Sequence, residues 1–155
     1  MVLPVCNLSG RRHQRGLAMV EFAIGVPVLL LLLLAVGEVG RMLSQYNVLL
    51  QSSRDAVRYA AHHAWNSTTG AIDRTKVQEV VENLAVYGSP VVQAEPLLDG
   101  LEAGDVDLSD DGVDHIQVTI RYTFVPAVGN VLPGFFGRDI PLGVELVATT
   151  VMRVL

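Results

Sequence analysis

Residues 15–22 read Arg15-Gly16-Leu17-Ala18-Met19-Val20-Glu21-Phe22, and Ala23, Ile24, Gly25, Val26, Pro27, Val28, six leucines (Leu29–Leu34), Ala35, Val36 and Gly37 follow at once. A helix needs ~20 mostly apolar residues to cross a hydrocarbon core of ~30 Å. Leu17 to Gly37 meets that length only if Glu21 is tolerated. A carboxylate in a span costs about 3 kcal/mol on insertion scales, which makes Glu21 a candidate functional residue. The span supplies no cation for it; an α-amino group freed by cutting before Leu17 would be one. Pro27, Gly25 and Gly37 weaken a helix in water, but membrane helices accept them where backbone groups are re-satisfied. Arg11, Arg12 and Arg15 precede the span, and no acidic residue comes before Glu21. The positive-inside rule then keeps the short N-terminus in the cytoplasm and sends the remainder across the membrane.

Two processing schemes compete. In the first, the basic stretch and apolar run form a secretory signal peptide, with Ala35-Val36-Gly37 as the small-residue cleavage site. Glu21 interrupts that apolar region early, and the amphipathic pattern runs straight through the supposed cut. In the second, only the basic leader is removed, between Gly16 and Leu17, and the apolar segment stays. The second is preferred because it alone gives Glu21 a purpose.

Beyond the span the helical pattern continues. Val39, Met42, Leu43, Tyr46, Leu50, Val57, Ala60, Ala61 and Ala64 recur at three-to-four-residue spacing, which predicts one buried stripe. The first clear break is Asn66-Ser67-Thr68-Thr69-Gly70. A helix from about Leu17 to Trp65 would be some 70 Å long at 1.5 Å per residue, so its outer half would leave the bilayer. Arg54, Arg58 and His62 form a second stripe, read as a solvated face. A shorter helix is predicted from Asp73, as cap, to Tyr87, ended by Gly88-Ser89-Pro90. Val91 to Glu95 is read as a short edge strand. Ile116, Val118, Ile120, Tyr122 and Phe124 alternate with polar residues, the period of a half-buried strand, and Leu142, Val144, Leu146 and Ala148 open a last one. Pro126 to Gly137 is a loop carrying Phe135 and Phe136, which serve either as an exposed subunit contact or as core residues. The predicted fold class is α+β: a long N-terminal transmembrane helix continuing into a small domain with a short helix and an antiparallel sheet.

The chain has 155 residues, room for one modest extramembrane domain of about 100 residues besides the span. Removing residues 1–16 takes three of the 11 basic residues and none of the 16 acidic ones, leaving 8 against 16, a balance of −8. That disfavours nucleic acid as a partner. Cys6 is the only cysteine, so no intramolecular disulfide can form.

Gly16-Leu17 followed by Glu21-Phe22, Pro27, the leucine run, Glu38, Gly40-Arg41 and the segment Arg54-Asp55-Ala56-Val57-Arg58-Tyr59-Ala60 resemble TadE-like proteins, minor pseudopilins of the tight-adherence (Tad/Flp) type IV pilus system. The resemblance covers about residues 11–65. It implies a pilin-like fold with a cleaved leader (1–16), a transmembrane segment (17–37), a helical extension (38–65) and an extracytoplasmic α+β domain (66–155). It implies cleavage after Gly16 by a membrane prepilin peptidase. Glu21, next to Phe22, would be recognised there and would help align subunits by attracting a neighbour's N-terminal amine. The implied partners are that peptidase, other pilins and pseudopilins, the assembly platform and the inner-membrane bilayer. The implied role is structural, in building an adhesive pilus. The alternative function is an exported binding domain released near Gly37.

No nucleophile elbow, phosphate loop or paired catalytic motif is visible, so no enzyme activity and no cofactor are expected. His62-His63 lacks a second ligand pair at metal spacing. Asp107-x-Ser109-x-Asp111-Gly112 opens like a calcium loop, but Val118 stands where the closing glutamate belongs. Residues 99–114 are read as a solvated acidic loop rather than a metal site.

Overall fold

The computed structural model describes residues 13–112, 114–127, 131–132, 140–141 and 143–154. Residues 1–12 of the expected leader, the expected loop residues Pro133, Gly134, Phe135 and Phe136, and Leu142 lie outside them. Two compact units meet in sequence at Glu38 and Val39. A single helix, α1 (His13–His63, 51 residues), carries the chain through both, with Pro27 inside it. Proline has no N–H to donate, so the carbonyl of Ala23 loses its usual partner there. The Leu- and Ala-rich residues on either side carry the helix past that point.

In the first unit, Leu17, Met19, Phe22, Ile24, Leu29 and Leu32 stand largely exposed. Each such side chain gains about 2 kcal/mol on leaving water, so water is the wrong solvent for this stretch. The helix is long and apolar enough to cross a membrane, which fits a single-pass membrane protein.

In the second unit the buried line along α1 is Leu49, Ser52, Ser53, Ala56, Val57, Ala60 and Ala61, followed by Ala64 just past its end. This corrects the predicted stripe at its near end. Val39 and Leu43 are exposed, Met42, Tyr46 and Leu50 only part-buried, while Leu49 and the two serines are fully covered. The serines are admissible because each hydroxyl finds an acceptor in its own helix. Ser52 Oγ donates to the Leu49 carbonyl at 3.1 Å, and Ser53 Oγ to that of Leu50 at 3.0 Å. Satisfied this way, a buried hydroxyl carries little desolvation cost.

After α1, strands β1 (Trp65–Asn66) and β2 (Ala71–Ile72) form a short antiparallel ribbon. Trp65 therefore opens a strand instead of closing the helix. Gly70 turns the chain with φ 63°, the left-handed region that favours glycine. The second helix, α2 (Gln78–Tyr87), starts five residues later than Asp73. Asp73 is engaged in a turn of its own, where its carboxylate accepts from Thr75 Oγ1 at 2.6 Å. That hydrogen bond, foremost, holds the Asp73 carboxyl below its ordinary pKa. The helix proper begins only after the Arg74 carbonyl has accepted from both Val77 and Gln78. Its end is where the sequence places it, at Gly88, left-handed with φ 67°. Beyond it no strand forms at Val91–Glu95; Ser89 Oγ accepts from the Val91 amide and from Gln93 Nε2, and the chain bends away.

The main sheet is antiparallel with order β3–β4–β7, from β3 (Val106–Asp110), β4 (His115–Thr123) and β7 (Glu145–Arg153). Between β4 and β7 lies a separate ribbon of β5 (Val131–Leu132) and β6 (Ile140–Pro141). β4 is central, and its predicted inward set, Ile116, Val118, Ile120 and Tyr122 with Phe124 just beyond, is buried. β3 corrects the acidic-loop reading: part of residues 99–114 is an edge strand, with Val106 and Leu108 turned to the core and Asp107 and Ser109 outward. Leu146 and Ala148 of β7 complete the sheet's inner face against α1 and α2. Ser53 Oγ meets Thr150 Oγ1 of β7 at 2.8 Å, a polar tie between helix and sheet.

Ile120 lies in the middle of that core and is 0% exposed. Ile120→Ala should lower unfolding stability by about 2–5 kcal/mol, lost transfer energy plus a cavity. Denaturant unfolding of the detergent-solubilised chain, followed by Trp65 fluorescence, measures it; a change under ~1 kcal/mol would contradict the packing described.

Candidate functional site

Six residues of α1, Ala18, Glu21, Phe22, Gly25, Val26 and Leu29, line a shallow groove along one side of the helix. Their spacing of three and four is what puts them on one stripe. Glu21 is exposed within it, and Phe22 is 71% exposed. Gly25, one turn on, keeps the space beside the carboxylate open; a Cβ there would meet nothing within 4 Å. The only ionisable side chain in an apolar groove thus faces outward, where another molecule can reach it.

Gly16 and Leu17 are also in α1. Leu17 stands one helical turn before Glu21, about 6 Å along the axis, so the two share a side of the helix. A Cβ on Gly16 meets nothing within 4 Å. The fold itself therefore places no demand for glycine at this position.

A group of side chains in the second unit, around Arg41 and Phe124, was not legible in the sequence. Glu38 is only 4% exposed, and both it and Arg41 are engaged in interactions. The Arg41 guanidinium carbon lies 5.9 Å from the centre of the Phe124 ring, within cation–π range. Tyr122 donates to the Asp99 carbonyl at 3.0 Å. Its hydroxyl is pushed above its ordinary pKa, first by burial and then by the Asp99 charge, with Arg41 acting in the opposite sense. The signal available in advance was Gly40-Arg41 following Glu38; nothing in the spacing said that Phe124, over eighty residues later, would meet it.

The other candidates are scattered. His63 Nδ1 is 2.9 Å from the Tyr59 carbonyl, and its ring stacks on Tyr59 at 4.2 Å, while His62 points to solvent. Arg54 and Arg58 are exposed. Asp107 and Ser109 belong to an extended strand, which cannot fold its own side chains around an ion as a loop does. Among the described residues no group of three or more His, Cys, Asp or Glu is placed to hold a metal.

No curated protein and no solved structure matches the chain. The groove, Glu21, Glu38, Arg41 and the first buried residues of α1 all fall within residues 16–58, which match the family model described as TadE-like protein. Over that helix the chain is consistent with a TadE-like protein of Tad pilus systems.

Proposed function

We propose that this protein is a structural minor pseudopilin of a Tad/Flp-type adhesive pilus, matured by a prepilin peptidase that cuts between Gly16 and Leu17. The observation that carries the reading is the coincidence on one helix of the family match at 16–58 with an exposed apolar surface and an outward-facing Glu21. The leader is 1–16, the membrane segment 17–37, the helical extension 38–65 and the outer domain 66–155. The chain sits in the bacterial inner membrane with its N-terminus cytoplasmic and its C-terminal domain periplasmic, and passes from there into pilus assembly. Its role is to bind, not to catalyse: the peptidase, neighbouring pilins and the assembly platform are its partners. Release of the domain near Gly37 is the weaker reading, because α1 runs unbroken through Gly37 to His63, and such a cut would sever a helix mid-length.

N-terminal sequencing of the mature protein tests this directly. Leu17 first is the expected result; Glu38 first would support the exported domain, and Met1 an uncleaved anchor. Gly16→Val should stop maturation without disturbing insertion, since the added side chain has free space in the helix. An immunoblot showing normal size reduction of that variant in cells with the peptidase would defeat the assignment.

Glu21 separates cleavage from assembly. In lipid its charge is costly alone and is offset by a neighbour's freed amine. Glu21→Val should permit insertion and cutting but reduce co-purification with other pilins by about tenfold, ~1.4 kcal/mol, or more. Assembly of the cleaved variant at wild-type levels would remove the pairing role. For topology, a reporter active only in the periplasm, fused after Leu155, should be active; activity confined to a cytoplasm-specific reporter would reverse the orientation.

A further inference from the structure

Gly25 stands where the fold of this chain gains nothing from a glycine. It lies inside α1 with the right-handed backbone that any residue adopts; the left-handed glycines among the described residues are Gly70, Gly88, Gly100 and Gly112. In a helix interior glycine is less stable than alanine, because it loses more conformational freedom on folding. Nor does it make room for the chain's own atoms, since a Cβ would meet nothing within 4 Å. Leucine at this place would strengthen the helix. It would also add apolar surface to a segment already long and apolar enough to cross a membrane. Within one molecule, every consideration argues against glycine at 25.

What the glycine does change is access to Glu21. The two residues are one turn apart and both line the groove on α1, with Phe22, Val26 and Leu29. Side chains on a helix lean toward its N-terminus, so one at position 25 would lie over the turn that carries Glu21. Without it, backbone is bare beside the only ionisable side chain between Leu17 and Gly37. Lipid tails have no use for bare backbone, because they cover any apolar surface equally well. A second helix does, because its axis can then come close enough for dense van der Waals contact. The groove is also lopsided about Glu21: it reaches Leu29 on the C-terminal side and only Ala18 on the other. A helix that begins at the carboxylate therefore has a track to lie in if it runs on past Gly25, parallel to α1.

We propose that Gly25 is the contact point at which the membrane helix of a second copy of this chain packs against α1, setting that copy's cut N-terminus at Glu21. The second copy is the occupant because it carries the complement of the groove. Once cut before Leu17, its one positive charge at that depth is the new α-amino group, and the groove holds one negative charge. Its leading residues, Leu17, Ala18, Met19 and Val20, are apolar, with no side-chain charge before its own Glu21. A displacement of one turn, about 5 Å, would pull the two charges apart in a medium of low dielectric, where their attraction is strongest. Glu21 thus sets the register along an otherwise featureless apolar surface, and Gly25 sets how closely the helices approach. The inference rests on the pseudopilin reading in one respect, the cleavage that frees the amine.

Two differently tagged full-length copies, co-expressed with the prepilin peptidase, are solubilised in mild detergent, and one tag is captured. Wild-type copies should be recovered together. Gly25→Leu in both copies should lower recovery of the second tag by about tenfold or more. Gly25→Ala should lower it by less, a graded loss that follows the volume added. Ala23→Leu adds comparable bulk ~200° around the helix and should leave recovery at the wild-type level. Uncut Gly16→Val copies should pair as poorly as Gly25→Leu; full pairing there overturns the role of the amine. Failure of wild-type copies to pair overturns the occupant. Undiminished pairing of Gly25→Leu, or an equal loss in Ala23→Leu, overturns the contact point. Each of these failures leaves the pilus reading standing if Leu17 is still the mature N-terminus and other pilins co-purify through Glu21; Met1 or Glu38 first in the wild type overturns that reading and this one together.

Discussion

Helix α1 has to satisfy two surroundings with one hydrogen-bond ladder. Through its first part the side chains are mostly apolar, and among the described residues Leu17, Phe22, Leu29 and Leu32 are covered by little else. Through its last part the covered residues narrow to a single line of small ones, Ser52, Ser53, Ala56, Ala60 and Ala61 beside Leu49 and Val57. Apart from the Ala23 carbonyl opposite Pro27, the helical ladder pairs backbone groups internally, which suits the apolar stretch and the packed stretch alike. From Leu17 to Glu38 two side chains break the apolar logic: Glu21, which is exposed, and Glu38, which is buried.

Small residues on the inner line have a packing consequence. Without long side chains, these residues contribute little volume of their own to the core. Ala148 of β7 is small and buried as well, and Thr150, two residues on, bonds to Ser53 of α1. The bulk of the core is then supplied from elsewhere, by Val77, Val81 and Val86 around α2 and by Ile116, Ile120 and Phe124 along β4 and just past its end.

Where side-chain period alone decides the outcome, the sequence was a good guide. The leucine run, the alternation from Ile116 to Phe124 and the Gly88 stop each rest on local chemistry, and each is found in place. The misreadings have a common cause: hydrophobicity stands in for burial only when polar groups have nowhere else to bond. Ser52 and Ser53 are buried because their hydroxyls bond to the preceding turn, so a stripe counted from apolar residues rotates off the true one. Asp73 is an ordinary helix cap by composition, but Thr75 takes its carboxylate first. Val106 and Leu108 were hidden among acids that face outward on an edge strand. Within the groove, Glu21 was legible because a charge in an apolar run has no bland explanation. The Arg41–Phe124 contact was not, since it joins residues that only the fold brings together.

The pairing of β4 with β7 also bears on force. All nine pairs, His115↔Arg153 to Thr123↔Glu145, are in continuous register. Tension applied along β7 therefore loads the rungs of that ladder together, in shear, and cannot open them one after another like a zip. With Cys6 the sole cysteine, no disulfide within the chain shares the load. Resistance to pulling in the second unit falls on this ladder and on the Ser53–Thr150 hydrogen bond between helix and sheet, both of which re-form without chemistry once the tension is released.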